Sequence, residues 1–468
     1  MTDGLHTFVV DTLGFRVPCR SFHVRANITR DRPLPVVDEF VLRLLRICGQ
    51  LTLMRLAEFF GFARTETERV VRDLVAKELI VAEDNELRLT TRAAALFRAS
   101  AEEEPRLVEV EPWVENVWID LVSRTFVPRP RQRAHRNLID VQPASGATDL
   151  PVDFARVAFE ENFRDYITRV RRLREPDRVS IHSIAGVEPD RYGSVVITGR
   201  KVITIGDRRP RLEFDGASEA PKQFRTMIEN LATEYGQLDQ PRAQTTSLVD
   251  FERFAGLQLR TYFDQNQEFD LARWLAERPQ LDNSSRAWVL GASYLEANVK
   301  AVVDRLNTKK PDQIKPEIRW LRPAGGGWGM SADLSSALEI LRRIVGLPET
   351  PRFSGSTLLM PRAVGNISQK RISRLFERGE EFSAKLGTSL EVLVVGRTVA
   401  MLLIHVSVDR NETIPVGIVT DHPDQVARLD GQLRGEHRQV WVSKARRRLE
   451  ADNQDSSNSD RTLDLLEE

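Results

Sequence analysis

Residues 36–60 read VVDEFVLRLLRICGQLTLMRLAEFF, and residues 61–89 continue GFARTETERVVRDLVAKELIVAEDNELRL. In the first stretch Val37, Phe40, Val41, Leu44, Leu45 and Cys48 recur at the three- and four-residue steps of one helix face. Gly49 supplies a C-terminal stop. Thr52 is placed to cap a second, short helix with Leu53, Leu56, Ala57 and Phe60 inward, and Gly61 turns the chain out of it. Thr65 and Glu68 have the spacing of a capping box, which predicts a third helix burying Thr67, Val70, Val71, Leu74 and Val75. Residues 79–82 and 87–89 are two short apolar runs around Asp84 and Asn85, the pattern of a hairpin.

Three helices followed by a hairpin resemble the winged helix-turn-helix family, over residues 36–98. The resemblance implies that the third helix enters a major groove. It would present Arg64, Thr65, Arg69 and Arg72 to DNA, with Glu66, Asp73 and Lys77 also outward. The acids Glu66, Glu68, Asp73 and Glu78 offset those cations, and Glu83, Asp84 and Glu86 at the hairpin tip would repel phosphates. Use of the same unit for protein contact therefore stays open.

Lys plus Arg and Asp plus Glu each number 68 in this chain of 468 residues, so no net field draws it to polyanions or membranes. That length suits roughly two to four domains. The only cysteines are Cys19 and Cys48, too few for a disulfide framework, with Cys48 on the expected buried face of the first helix. No apolar run approaches the ~18 residues of a membrane span. The first residues contain Asp3 and Asp11 and lack a basic-then-apolar leader pattern. A cytoplasmic protein without membrane contact is the expectation.

The rest of the chain predicts an α+β multidomain protein, with a mixed middle domain and a C-terminal α/β domain around a mixed sheet. The expected divisions are 1–104 (N-terminal strands plus winged helix), 105–216 (mixed, with a basic loop), 217–284 (helical), 285–450 (α/β) and 451–468 (acidic, disordered tail). Within them, 5–30 reads as short strands, and Trp113, Val117, Trp118 and Leu121 as a short helix. Phe159, Phe163, Ile167 and Val170 share one face of a long helix. Thr198-Gly199-Arg200-Lys201 reads as a hairpin turn. From 285 onward strands near 287–291, 317–321, 356–360, 390–396, 399–408, 414–420 and 438–442 alternate with helices near 295–307, 331–345, 367–386 and 423–434. That alternation predicts a largely parallel sheet.

Several runs are basic. Arg124, Arg129, Arg131, Arg133, His135 and Arg136 crowd a stretch with no acid between Asp120 and Asp140. Pro128 and Pro130 keep it extended, so it can lie along phosphates. Arg171 and Arg172, with Arg164, form a second cluster; Lys370, Arg371 and Arg374, with Arg362 and Arg378, a third; Lys444 and Arg446–Arg448 a fourth. A charge run is usually a solvated face, but four runs in a neutral chain suggest that some converge.

Catalytic signatures are incomplete. No His-x-x-x-His or Cys-x-x-Cys pair indicates a metal, and no cofactor is expected. Gly325, Gly326, Gly327 and Gly329 form a glycine-rich loop, but Met330 and Ser331 stand where a phosphate-cradling loop needs lysine. Its backbone could still face an anion at the helix starting near Ser331. The alternation of strands and helices that ends in a hairpin with His405 resembles the phospholipase D superfamily, whose motif is His-x-Lys-x-x-x-x-Asp. Here Ser407 holds the lysine position and Glu412 the acid position. Losing the lysine removes the charge that steadies a phosphoryl transition state. The function expected is DNA binding without chemistry, as an accessory subunit with other protein partners in a prokaryotic DNA-processing or anti-phage system. A divergent nuclease and a protein scaffold are the alternatives.

Overall fold

The computed structural model describes residues 6–98, 106–130, 137–143, 150–207, 209–214, 222–238, 244–278, 285–348, 355–362, 372–382, 386–409, 412–435 and 437–442. The acidic tail and Lys444–Arg448 lie outside them.

The expected short strands at 5–30 are one strand, β1 (Thr7–Pro33), of 27 residues. After it come α1 (Val36–Cys48), β2 (Gln50–Thr52), α2 (Leu53–Phe60), α3 (Arg64–Ala76), β3 (Ile80–Glu83), β4 (Glu86–Leu89) and α4 (Thr91–Arg98). The chain then returns to the first sheet as β5 (Arg106–Asp120), which pairs antiparallel with β1 from Cys19↔Asp120 to Pro33↔Arg106. The segment read as a helix around Trp113 is therefore strand. Its alternation of Leu107, Glu109, Glu111, Trp113 with Val108, Val110, Val114 is the period-two pattern that a helical interpretation overlooks.

Short strands β6 (Phe126–Val127) and β7 (Ile139–Asp140) precede α5 (Val152–Asp165), which continues into a π turn at Tyr166–Val170. Next is β8 (Val179–Thr204), antiparallel to β1 along nearly its whole length, then β9 (Arg211–Phe214). The expected hairpin at 198–201 does not form. Gly199 pairs with Leu13 inside β8, and a Cβ there would come within 3.0 Å of Leu212 and Phe214 on β9. This glycine makes room for side chains and makes no turn.

The remaining elements are α6 (Lys222–Gly236), α7 (Thr245–Ala255), α8 (Leu271–Glu277), β10 (Arg286–Leu290), α9 (Glu296–Leu306), β11 (Ile318–Leu321), α10 (Ala332–Ile344), β12 (Ser356–Met360), β13 (Arg378–Glu381), β14 (Leu390–Val395), β15 (Val399–Asp409), β16 (Glu412–Thr420), α11 (Pro423–Gln432) and β17 (Arg438–Val442). The expected helix at 367–386 is strand at β13, where residues 363–371 fall outside the described part. The α+β multidomain architecture is present, with a mixed eight-stranded sheet in the order β10-β16-β15-β14-β11-β12-β13-β17. The expectation of a largely parallel sheet fails. Among the described residues only β11–β12 and β12–β13 are parallel within this sheet; β14 turns back into β15 through residues 396–398, and β15 pairs antiparallel with β16.

Two cores meet along β1. Leu13, Phe15 and Val17 pack with Tyr294, Trp320, Trp328 and Leu403 on one face of the eight-stranded sheet. Farther along, Phe22, Val24, Ala26 and Ile28 pack under Phe159 and Phe163 of α5. The unit from α1 to α4 has its own core, including Val41, Leu42, Leu45, Leu56, Val71 and Leu74, and a three-stranded sheet in the order β2-β4-β3.

Within that unit, Gly49 closes α1 with its N–H donating to Leu45 O, and the Thr52 side chain accepts from Arg55 N–H. The capping box falls elsewhere than expected. Ala63 is the N-cap of α3, and the Glu66 carboxylate accepts its N–H at 2.9 Å. The buried face of α1 is also rotated. It carries Asp38, Val41, Leu42 and Leu45, and leaves Val37, Phe40 and Cys48 exposed. Both flanks of α1 are apolar, so periodicity alone could not choose between them. Asp38 can turn inward because Lys77 pairs with it at 2.7 Å, which also withdraws Lys77 from the outward set.

Among the described residues no helix is long and apolar enough to cross a membrane.

Candidate functional site

His405 stands on β15, on the face of the eight-stranded sheet that receives β1. Its Nε2 lies 3.6 Å from Glu391 Oε2 on the neighbouring strand β14. Glu391 is fully buried, and its Oε1 accepts hydrogen bonds from Trp320 Nε1 at 3.0 Å and from the Ser293 hydroxyl. Across from them, Asp11 of β1 accepts the Tyr294 hydroxyl at 2.7 Å and the Thr12 N–H at 2.7 Å. Lys201 of β8 reaches in from the same side. It pairs with Glu412 Oε2 at 2.7 Å, donates to Thr413 O at 3.0 Å and sits over the Tyr235 ring.

Strand alternation explains the convergence. Glu391 and His405 are the polar members of apolar runs, each aimed at the same side of its sheet. Asp11 and Lys201 are paired across the β1–β8 ladder and turn toward that side as well.

Burial raises Asp11 to about 6, against the opposing effects of Tyr294, Lys201, the Thr12 N–H and His405. Lys201 is held above its ordinary value, since Tyr235 and Glu412 together outweigh the burial that disfavours its charge. The fully buried Arg322 is pushed down to about 10 by desolvation, partly countered by Tyr294 and Glu391.

The phospholipase D resemblance can now be placed residue by residue. Ser407 pairs with Thr413 across β15–β16, and the Lys201 ammonium lies at Thr413 O. A positive charge thus stands beside the position where the motif has its lysine, supplied from a different strand. Glu412 neutralises it. Among the described residues His405 Nε2, Glu391 Oε2 and Thr413 Oγ1 have no hydrogen-bond partner, so polar groups stand ready here. Space is lacking. The cavity among Asp11, Lys201, Tyr294 and His405 measures about 20 Å³, room for one water-sized guest. A phosphodiester does not fit.

The glycine-rich loop is likewise occupied. Its carbonyls accept from Asn137 at Gly329 O and Ser331 O and from the Gly14 N–H at Met330 O, while its own Gly329 N–H donates to the Tyr294 hydroxyl and its Met330 N–H to Gly327 O. The Ser331 side chain caps α10 by accepting Asp333 N–H, and Thr12 lies against both Ser331 and Asp333. An anion at the start of α10 would have to displace these groups. Among the described residues no cluster of three or more His, Cys, Asp or Glu is placed to hold a metal ion.

The DNA-contact candidates lie on three units. On α3, Arg64 pairs with Glu68 at 2.9 Å, whereas Thr65, Arg69 and Arg72 are exposed, and neither arginine has an ion-pair partner among the described residues. Beside β5 and α5, the Arg124 guanidinium packs over the Phe154 ring, Arg129 is exposed, and Arg171 pairs with Glu115 at 2.9 Å. Arg172 is exposed at a positive φ of 53°. In the large-sheet region Arg374 is exposed. Arg131, Arg133, Arg136, Lys370 and Arg371 lie outside the described residues.

Sequence reasoning found His405 and Glu412 but missed Asp11, Glu391 and Lys201. The available signal was a lone charge in a strand-like apolar run: Val-Val-Asp11-Thr-Leu and Leu-Glu391-Val-Leu.

No family model matches this chain, and no curated protein matches it. Among solved structures it is similar to Nuc, a phospholipase D family member from Salmonella typhimurium, at 11% identity and a TM-score of 0.23, over 33% of this chain and 97% of the other. It is also similar to TrmBL2, an archaeal chromatin protein with a novel mode of DNA binding, at 10% identity and a TM-score of 0.21, over 87% and 95% of the two chains. NucT from Helicobacter pylori matches at 9% identity and a TM-score of 0.22, over 33% and 98%. None of these likenesses assigns a role to a residue here.

Proposed function

We propose that the chain is a non-catalytic DNA-binding accessory subunit of a prokaryotic DNA-processing or anti-phage assembly, and that α1–α4 form a winged helix with α3 against the duplex. The observation that carries this reading is the state of charge on α3. Two of its acids are engaged, Glu66 by the Ala63 N–H and Glu68 by Arg64, and the third, Asp73, is exposed beside Arg72, while Arg69 and Arg72 stand exposed three residues apart. A cation already paired has little to give a phosphate, and an unpaired one releases a counterion on contact. The crowding around His405 supports the non-catalytic half of the proposal, since the cavity among these side chains measures about 20 Å³.

Filter binding of a labelled duplex across a salt series tests it. Wild-type protein is expected to bind with an affinity that falls steeply with salt, and Arg69→Ala/Arg72→Ala to lower the log–log slope by up to ~2. Salt-insensitive or absent binding would remove the proposal. Incubation with DNA and divalent ions is expected to give no cleavage, and cleavage lost in His405→Ala would favour the nuclease alternative instead.

One observation favours the scaffold alternative. On α1, Val36, Phe40 and Ile47 are 68%, 54% and 82% exposed and lie along one stripe. A stripe of that kind suits a protein neighbour, in keeping with a subunit of a larger assembly.

A further inference from the structure

At one end of the central strands of the eight-stranded sheet, a cleft of about 420 Å³ opens between the starts of β11 and β12 and the turn joining β14 to β15. Its lining holds four cations, Lys315, Arg319, Arg378 and Arg397, and one carboxylate, Glu317. Glu317 acts as a clamp. Its Oε1 takes Arg319 Nε at 2.8 Å, and its Oε2 takes Arg397 Nε at 3.1 Å and Arg434 Nη2 at 2.6 Å. Burial works against its charge, but the hydrogen bonds from Arg434 and Arg319, with their charges, hold it down at about 2. One carboxylate fixes three guanidinium groups and neutralises one of them. Lys315 is exposed and has no ion-pair partner among the described residues, and Arg378 approaches Glu380 only at 3.9 Å.

The backbone is set just as firmly. Lys315 N–H donates to Gly396 O, and Gly396 N–H donates to Glu317 O, both at 2.9 Å. Gly396 and Arg397 have φ of 61° and 60°, the conformation of a two-residue hairpin turn whose second position ordinarily takes glycine. The arginine occupies a place that strains any residue with a Cβ, and in doing so lays its charge on the cleft.

We infer that this cleft is a binding site for phosphate-bearing anions, separate from α3. Rigid guanidinium forks match pairs of phosphate oxygens, and an ammonium adds a point charge. Among the described residues no aromatic side chain lines the cleft, so none there stacks on a base. Recognition is of the phosphate oxygens themselves, whether of a free diphosphate or of a polynucleotide backbone.

Calorimetric titration of the full chain with inorganic pyrophosphate tests the site, against Lys315→Ala and Lys315→Ala/Arg397→Gly. The glycine suits the turn, so an unchanged unfolding midpoint accompanies the loss of charge. Saturable binding in the wild type, weakened about tenfold or more in the double variant, and kept by Arg69→Ala/Arg72→Ala, is the expected result. A salt series with a labelled oligonucleotide separates the sources. A slope lowered by about 2 in the double variant assigns the site to a polynucleotide backbone. An unchanged slope with weakened pyrophosphate binding assigns it to a free phosphate compound. If neither ligand responds to the double variant, or neither binds the wild type, the inference is overturned.

Discussion

The Tyr294 hydroxyl donates to Asp11 Oδ1 at 2.7 Å, which ties β1 to the loop that enters α9. Nearby, Ala292 N–H donates to Val10 O at 2.8 Å, so side chain and backbone make the same join. At this seam Asp11 and Tyr294 both line the small cavity at His405.

The seam responds to pH. Asp11 sits at about 6 when folded, against an ordinary value of 3.8. Between roughly pH 4 and 6 the folded chain keeps a proton that the unfolded chain has released, so this group's contribution to stability falls as pH rises through that window and is flat above it. Asp11→Asn cannot ionise and still accepts from Tyr294. Its unfolding free energy relative to the parent should rise across the window by up to about 3 kcal/mol. Urea unfolding at a series of pH values measures this, and a constant offset would contradict it.

Glu391 is expected to be needed for stability. Glu391→Leu leaves the Trp320 indole N–H and the Ser293 hydroxyl without their buried acceptor. A loss of about 2–4 kcal/mol should follow, visible as a lower urea midpoint with an unchanged slope. A shift under half a kcal/mol would mean that the cavity repacks freely.

Gly291 has φ 89°, and a Cβ there would lie 3.0 Å from Val10 O. Gly291→Ala should cost about 1–3 kcal/mol from backbone strain alone and loosen the β1 seam further. Hydrogen exchange is the direct readout. Faster exchange at Ala292 and Gly14 than in the parent is expected, and unchanged protection would refute the link.

On α3 the arginines should separate by their partners. Arg64→Ala removes a cation already held by Glu68, whereas Arg69→Ala removes an unpaired one. In duplex binding the first should leave the salt slope nearly unaltered, and the second should lower it by about 1. Equal effects would show that the Arg64–Glu68 pair opens on contact.

Much of the local structure was legible in the residues. Strands at 356–360 and 438–442 fall where the apolar runs end, and α9, α10 and α11 lie within a few residues of their expected limits. Those segments have one period each, and a single period has one solution. Segments with two competing patterns were misread. Trp113 to Leu121 supports either a helix stripe or an alternating strand, and pairing with β1 selects the strand. The two apolar flanks of α1 are equivalent until Lys77 arrives to neutralise Asp38.

The amino-acid sequence by itself determined the α+β character and the order of elements around α3, because each depends on neighbours a few positions apart. Only the tertiary structure decided that Lys201 reaches Thr413 O opposite Ser407, that Asp11 meets Tyr294 beside His405, and that Lys315, Arg319 and Arg397 share one cleft. These groups are separated by up to hundreds of positions, and no local period encodes a meeting that long strand ladders alone bring about.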